Sequence, residues 1–161
     1  MTTQSEDDQR AWIGVTGMRI TELDLAHPKL PFVTEISLSN SGKSPAINLK
    51  RASAYMLSST PVSGPKPEYI KKVDDKIAGI RDHIAVPPNG VNTLESSDNG
   101  NYVIPKWTAI IGKTEFVYIY GRFEYQDVSQ RGHFTTFCYY LKEPTAKPPQ
   151  FASCEAYNDM N

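Results

Sequence analysis

Residues 115–125 read EFVYIYGRFEY and residues 134–141 read FTTFCYYL, and these two stretches decide the fold class. Both are rich in aromatic and β-branched residues over a length that is typical of β-strands. The residues between them, 127–132, are polar and end in glycine, which favours a turn. Together they predict a long antiparallel hairpin with one face turned towards a core.

The register of this hairpin decides which side chains share a face. Pairing residue 126 with residue 133 places Gly121 opposite Cys138 and predicts a core face made of Val117, Ile119, Gly121, Phe123, Tyr125, Phe134, Thr136, Cys138 and Tyr140. The solvent-side face would then carry Tyr118, Tyr120, Arg122, Glu124, Thr135, Phe137, Tyr139 and Leu141. A slip of one residue would exchange the two faces of the second strand.

Outward from the hairpin, further segments show the alternation of half-buried strands, at 11–15, 31–40 and 47–57. The short link 41–45 predicts that the last two of these pair with each other as antiparallel neighbours. Less regular strands are predicted at 84–86, 91–94, 102–104 and 107–111. One short helix is predicted where Ile70, Val73, Ile77 and Ile80 recur at helical spacing.

About seven strands without a βαβ alternation predict a mainly β fold, an antiparallel two-sheet sandwich that is immunoglobulin-like, with one short inserted helix. The 161 residues suit a single domain, predicted at 10–161. Residues 1–9 are acidic and polar, and we expect them to be a disordered leader or linker. They lack the basic start and apolar segment of a secretory signal.

Charge and composition disfavour several classes of partner and site. Seventeen Lys and Arg against eighteen Asp and Glu give a net charge of -1 without a basic run, which disfavours nucleic acid as a partner. No apolar stretch approaches the roughly 20 residues of a membrane-spanning helix. The three histidines, at 27, 83 and 133, lie in separate segments, so no metal site and no cofactor are predicted. Gly42-Lys43-Ser44 lacks the leading glycine and the following helix of a phosphate loop.

Two groups of residues are candidate sites. The first is an aromatic docking surface for a protein, peptide or glycan, with an arginine stacked among the rings, made of Tyr118, Tyr120, Arg122, Phe137 and Tyr139. The alternative is that these rings support the sheet or lie beneath the helix at 68–80. The second candidate is an acid–base pair of His133 and Asp127, as in a small hydrolase or lyase. Its alternative is a polar hairpin end of the ordinary kind.

Cys138 and Cys154 are the only cysteines, and their spacing suits either a disulfide or two unrelated buried thiols. In the chain-entropy model, a disulfide that closes this loop would stabilise the folded state by about 3 kcal/mol. Its persistence depends on the compartment. In the predicted register, Gly121 leaves room beside the Cys138 sulfur, which favours the bond.

Several short elements together resemble a group of uncharacterised bacterial proteins in which a small β-sandwich follows one membrane helix. The elements are Arg10-Ala11-Trp12, Asn40-Ser41-Gly42-Lys43-Ser44-Pro45-Ala46, Tyr120-Gly121-Arg122, Tyr125-Gln126-Asp127, His133-Phe134-Thr135, Phe137-Cys138 and Cys154-Glu155-Ala156-Tyr157-Asn158. The resemblance implies a domain outside the cytoplasmic membrane, where a bond between Cys138 and Cys154 would last. It carries over no catalytic residues, and this chain departs from it in lacking the anchoring helix.

These observations give three expectations for function. The leading one is a non-enzymatic interaction domain of the bacterial envelope whose partner is another protein or an envelope component. It would be periplasmic or membrane-tethered if the chain is part of a longer product, and cytoplasmic if the chain is complete as written. The others are the hydrolase or lyase and a phage or virion structural protein, because small β-sandwiches serve many functions.

Overall fold

The fold, given by a computed structural model that describes residues 9–99 and 102–161, is built from eight strands and two short α-helices. The strands are β1 (Ile13–Glu22), β2 (Val33–Asn40), β3 (Ala46–Ser58), β4 (Ile84–Val86), β5 (Val91–Ser97), β6 (Phe116–Gln126), β7 (Gly132–Glu143) and β8 (Gln150–Ser153). The helices are α1 (Pro67–Ala78) and α2 (Trp107–Ile111), the second preceded by a 3-10 turn at Ile104–Lys106.

All strand pairs are antiparallel and form two sheets. The small sheet has the order β1-β2-β5 and the large sheet the order β4-β3-β6-β7-β8. This confirms the predicted mainly β, two-sheet sandwich. It has eight strands where about seven were expected, and two α-helices where one was expected. The predicted leader at 1–9 lies, except for residue 9, outside the described residues.

The main core lies between the inner faces of the two sheets. The side chains that β6 contributes to it are those the alternation predicted, and they are Val117, Ile119, Phe123 and Tyr125. They meet residues of the small sheet such as Ile13, Ile36 and Leu38, all 0% exposed. Each such side chain contributes roughly 1.5–3 kcal/mol through burial. At the rim of this core, Arg51 of β3 bonds to the Asn92 side chain and the Thr93 main-chain oxygen of β5.

The predicted pairing of β2 with β3 is wrong, because the link between them crosses from one sheet to the other. The Asn40 side chain stabilises the segment that links β2 to β3, and both its oxygen and its nitrogen form hydrogen bonds there. Its Oδ1 accepts from the Trp12 and Gly42 amides, and its Nδ2 donates to the Ser44 and Val86 carbonyls. A side chain at Gly42 would collide with the main chain of residues 10–12. The Asn40-Ser41-Gly42 element therefore has a structural role.

Residues 102–111 are not the strands that were predicted. Residues 104–106 form the 3-10 turn and 107–111 form α2, which turn Val103, Ile104, Trp107 and Ile110 into the core. Their spacing is helical. Pro105 lies at the start of the 3-10 turn, where its missing N–H costs nothing.

The hairpin of β6 and β7 is confirmed, but its register differs by one residue from the prediction. Gln126 pairs with Gly132, so Gly121 lies opposite Phe137 and Tyr120 lies opposite Cys138. The consequence is that Phe137 points to the inner core and Cys138 to the outer face of the large sheet. The side chains predicted inside and outside on β7 are therefore exchanged.

A carboxyl-terminal strap, residues 154–161, runs along β7 beyond the end of β8. The Cys138–Cys154 disulfide joins the strap to the strand, with 5.3 Å between the two Cα atoms. The side chain of Asn158 then accepts from the Cys138 amide and donates to the Cys154 carbonyl, at 3.0 and 2.9 Å. The predicted disulfide is thus present, on the face opposite to the one expected.

Candidate functional site

The outer face of the large sheet has a covered half and an open half. Helix α1 and the strap cover the first, where a second core forms from residues that include Ala52, Met56, Val73, Ile77, Tyr118, Tyr120, Cys138 and Cys154. The open half begins at Arg122 and continues towards the β6–β7 turn. Side chains of this open half line a cavity.

Tyr118 and Tyr120, predicted to lie on a solvent-side docking strip, are 2% and 0% exposed. The Tyr118 hydroxyl accepts a hydrogen bond from the Val62 amide at 2.9 Å. The Tyr120 ring meets Tyr69 of α1 and Tyr157 of the strap edge to face. Burial raises the pKa of Tyr120. The alternation correctly separated these rings from the inner core, but it could not show that α1 covers them.

Phe137 and Tyr139 do not belong to that face, because the register places both on the inner side of the sheet. Phe137 is 2% exposed and stacks on Phe123 with 5.1 Å between ring centroids. Tyr139 is half-buried at the edge of the sandwich, where it lines a second groove with Met18 and Phe151. The predicted aromatic patch is therefore divided among three environments, and only Arg122 remains on the open half of the outer face.

Arg122 is held in one orientation by two neighbours. Its Nε lies 2.9 Å from Oε1 of Glu124 on the same strand. Its guanidinium carbon lies 4.3 Å from the ring centroid of Phe134 on β7, within the range of a cation–π contact. The side chain is 25% exposed. These two contacts fix the plane of the Arg122 guanidinium. Its two terminal nitrogens are left as hydrogen-bond donors in that plane.

An open cavity of about 520 Å³ lies beside Arg122. Its lining comes from three strands and the segment before β4, and it comprises Asn48, Lys50, His83, Arg122, Glu124, Tyr125, Gln126, Gly132, His133 and Phe134. We call it the Arg122 groove. Its size falls in the range of small-molecule sites. Of the candidate site residues named from the sequence, Arg122 and His133 line the groove. Lys50 and Asn48 were not foreseen, because they join it through the pairing of β3 with β6.

A β-bulge in β3 shapes one end of the Arg122 groove. The register shifts between Ile47 and Lys50, and Asn48 adopts a left-handed conformation with φ of 53°. Asn48 donates from Nδ2 to the Gln126 Oε1 atom at 2.7 Å. Bulges commonly re-aim a side chain beside a binding site. Here the bulge sets a pair of amides at the groove end.

The pair predicted for acid–base chemistry, Asp127 and His133, does come together. The His133 Nε2 atom lies 3.1 Å from Asp127 Oδ2, and its Nδ1 atom lies 3.2 Å from the main-chain oxygen of Asn161. Asp127 also accepts from the Ser129 and Arg131 amides and from the Arg131 side chain. Both histidine nitrogens and both carboxylate oxygens are thus engaged in closing the β6–β7 turn onto the strap.

The electrostatics of Asp127 agree with that structural role. Burial by itself would raise the pKa of its carboxyl, but the hydrogen bonds from His133, Arg131 and Ser129 outweigh it and lower the pKa to about 2. A carboxylate with so many donors is held ionised. It offers no free oxygen to a reacting group unless the turn opens.

In residues 9–99 and 102–161 there is no group of three or more metal-ligating side chains. None of the helices in those residues combines the length and the apolar character needed to span a membrane.

Comparisons with known proteins leave the function open. No family model matches the chain, and no curated protein matches it. Among solved structures the chain is similar to one titled "X-ray structure of Northeast Structural Genomics Consortium target SoR45", at 12% identity over 82% of this chain and 86% of that chain. The TM-score of 0.34 is too low for any inference from that protein to this one.

Proposed function

We propose that this chain is a non-enzymatic binding module and that the Arg122 groove is its binding site. The observation that carries the proposal is the groove itself, because its charged and amide side chains stand on paired strands and take no part in packing the core. The pair predicted for acid–base chemistry, Asp127 and His133, is engaged in the turn. A rigid sheet with an open polar cavity suits recognition of a ligand or partner.

We also propose that the sandwich is immunoglobulin-like. The small sheet order β1-β2-β5 and the large sheet order β4-β3-β6-β7 support this class, since the chain crosses between the two antiparallel sheets after β2, after β4 and after β5. Strand β8 is then an addition at the edge next to β7.

The proposed location is outside the cytoplasmic membrane, with another protein or an envelope component as the partner. The Cys138–Cys154 bond supports it, because disulfides persist in oxidising compartments. A free-thiol count in denaturant tests it on protein isolated from the source cells under conditions that block thiol exchange. We expect no reactive thiol, whereas two thiols in every molecule would overturn the location.

The binding site is tested by photo-crosslinking in an envelope preparation. A photoreactive phenylalanine at His83, on the rim of the groove, is compared with one at Val91, which is exposed on β5 of the other sheet. We expect an adduct from residue 83 alone, and we expect Lys50→Glu to abolish it without changing the melting temperature. Equal adducts from both positions, or an adduct that survives Lys50→Glu, would show that the groove is not the site.

A further inference from the structure

The Arg122 groove carries more cations than its own carboxylate can neutralise. Glu124 is paired with Arg122, and Lys50 has no ion pair with any described residue, although β3 places it directly across from Glu124. Taken together, Lys50, Arg122 and Glu124 therefore leave an excess of one positive charge in the groove. A cleft with low-dielectric walls concentrates such a field and raises the local concentration of anions.

The arginine is oriented for a planar anion. Nε is bonded to Glu124 and the guanidinium lies over Phe134, so the plane of the group is fixed before a ligand arrives. The terminal nitrogens have no partner among the described residues. Two parallel donors in a fixed plane match the two oxygens of a carboxylate, and pre-orientation reduces the entropy lost on binding.

The far end of the groove suits hydroxyl groups. One hydrogen bond joins the two amides, from Asn48 Nδ2 to Gln126 Oε1. The Asn48 Oδ1 atom is left as an acceptor and the Gln126 Nε2 group as a donor. A hydroxyl group both donates and accepts, so it can satisfy either amide. The cavity, about 520 Å³, has room for a sugar ring between these amides and Arg122.

We propose that the ligand of the Arg122 groove is a sugar acid, whose carboxylate binds Arg122 and Lys50 and whose hydroxyl groups face Asn48 and Gln126. This inference rests on the proposed binding function. It assigns the groove a monoanion, which balances the single excess charge.

The test is an NMR titration of the full chain with three sugars that differ at one carbon: glucuronate, glucose and glucose 6-phosphate. We expect glucuronate to shift the amide signals of residues 122–126 and 134 and the Arg122 Nε–H signal. We expect no comparable shift with neutral glucose. Added salt should weaken glucuronate binding, because the groove is open to solvent.

Matched variants assign the effect to the groove. Arg122→Lys keeps the charge but loses the planar pair of donors, and we expect the affinity for glucuronate to fall about tenfold, which corresponds to about 1.4 kcal/mol. Arg19→Lys is its control, because Arg19 makes the same Nε contact to a glutamate, Glu35, at 2.9 Å on the small sheet. Lys50→Ala should weaken binding, whereas Lys142→Ala, at an exposed position on β7, should not.

Each other outcome overturns a defined part. Equal binding of glucose would show that the groove does not require an anionic ligand. Equal or tighter binding of glucose 6-phosphate would show that the groove binds anions in general and does not prefer a carboxylate. If no sugar binds while the His83 adduct still forms and still disappears in Lys50→Glu, the ligand class is wrong and the groove remains the binding site. If the adduct is missing as well, the proposed function fails with it.

Discussion

Gly121 on β6 lies directly opposite Phe137 on β7, and the Phe137 ring occupies the space that a side chain at residue 121 would need. A Cβ atom there would lie 2.5 Å from Phe137 Cζ and closer still to the Ala52 main-chain oxygen. The absence of a side chain lets the ring lie across the strand and stack on Phe123.

Gly121→Ala should therefore destabilise the protein through overpacking, by about 1–3 kcal/mol. In a domain of this size, each kcal/mol lowers the melting temperature by about 2–4 °C. Gly132→Ala is the control, because a Cβ atom there meets nothing within 4 Å. Thermal melts of both variants by circular dichroism check this, and an unchanged melting temperature for Gly121→Ala would contradict the register of the hairpin.

Tyr118→Phe and Tyr120→Phe should have different effects, although both rings are buried side by side on β6. Loss of the Tyr118 hydroxyl removes its bond to the Val62 amide and should cost about 1 kcal/mol. The Tyr120 hydroxyl is buried with no hydrogen-bond partner among the described residues, so its removal should leave stability unchanged or raise it. Urea unfolding of the two variants measures the difference; a larger loss for Tyr120→Phe would reveal a hydrogen bond at that hydroxyl.

Asp127 should make the stability of the protein depend on pH in acid. Its pKa is lowered from 3.8 to about 2 in the folded chain, so the folded state gains stability above pH 4 and loses it as the pH falls towards 2. The gain at neutral pH is about 2 kcal/mol on the linkage relation.

The measurement for Asp127 is the free energy of unfolding of wild type and Asp127→Asn at several pH values. We expect the difference between the two to be full at pH 5 and above and to shrink between pH 4 and pH 2. Asp82→Asn, at an exposed position, controls for the loss of one negative charge. A difference that stays constant down to pH 2 would show that the carboxylate is not what stabilises the turn.

Asn40→Asp should be among the most damaging single substitutions in the chain. The change replaces an amide that donates to the Ser44 and Val86 carbonyls by a group that cannot donate when ionised. Each buried group left without a partner costs about 1–3 kcal/mol. Asn89→Asp, at an exposed turn position with φ of 58°, is the matched control. Equal unfolding midpoints in denaturant for the two variants would remove the role assigned to Asn40.

The sequence predicted the inner face of β6 correctly because alternation alone fixes it. It could not fix β7, since the register depends on the length of the turn. That length follows from Asp127, whose carboxylate accepts from the Ser129 and Arg131 amides and closes a turn one residue shorter than the prediction assumed. A side-chain bond of this kind leaves no trace in hydrophobic periodicity.

The proposed binding site was predictable only in part. Arg122 stood out because it follows two tyrosines on one face of a strand. Lys50 and His83 did not, because they reach the groove through a strand pairing and a loop position that are set by contacts between distant residues. That α1 covers Tyr118 and Tyr120 was one of the alternatives the sequence left open. The helical spacing of apolar residues at 70–80 required an apolar surface on which α1 could pack.

The disulfide between the strap and β7 determines how the protein would respond to a pulling force. Tension applied at the last residue would first meet the hydrogen bonds of residues 158–161 with β7, and then the covalent bond at Cys154. That bond passes the pull straight to Cys138, in the interior of the five-stranded sheet, so the short strand β8 is shielded from it. Reduction would redirect the same pull through β8, and the sheet would peel from its edge.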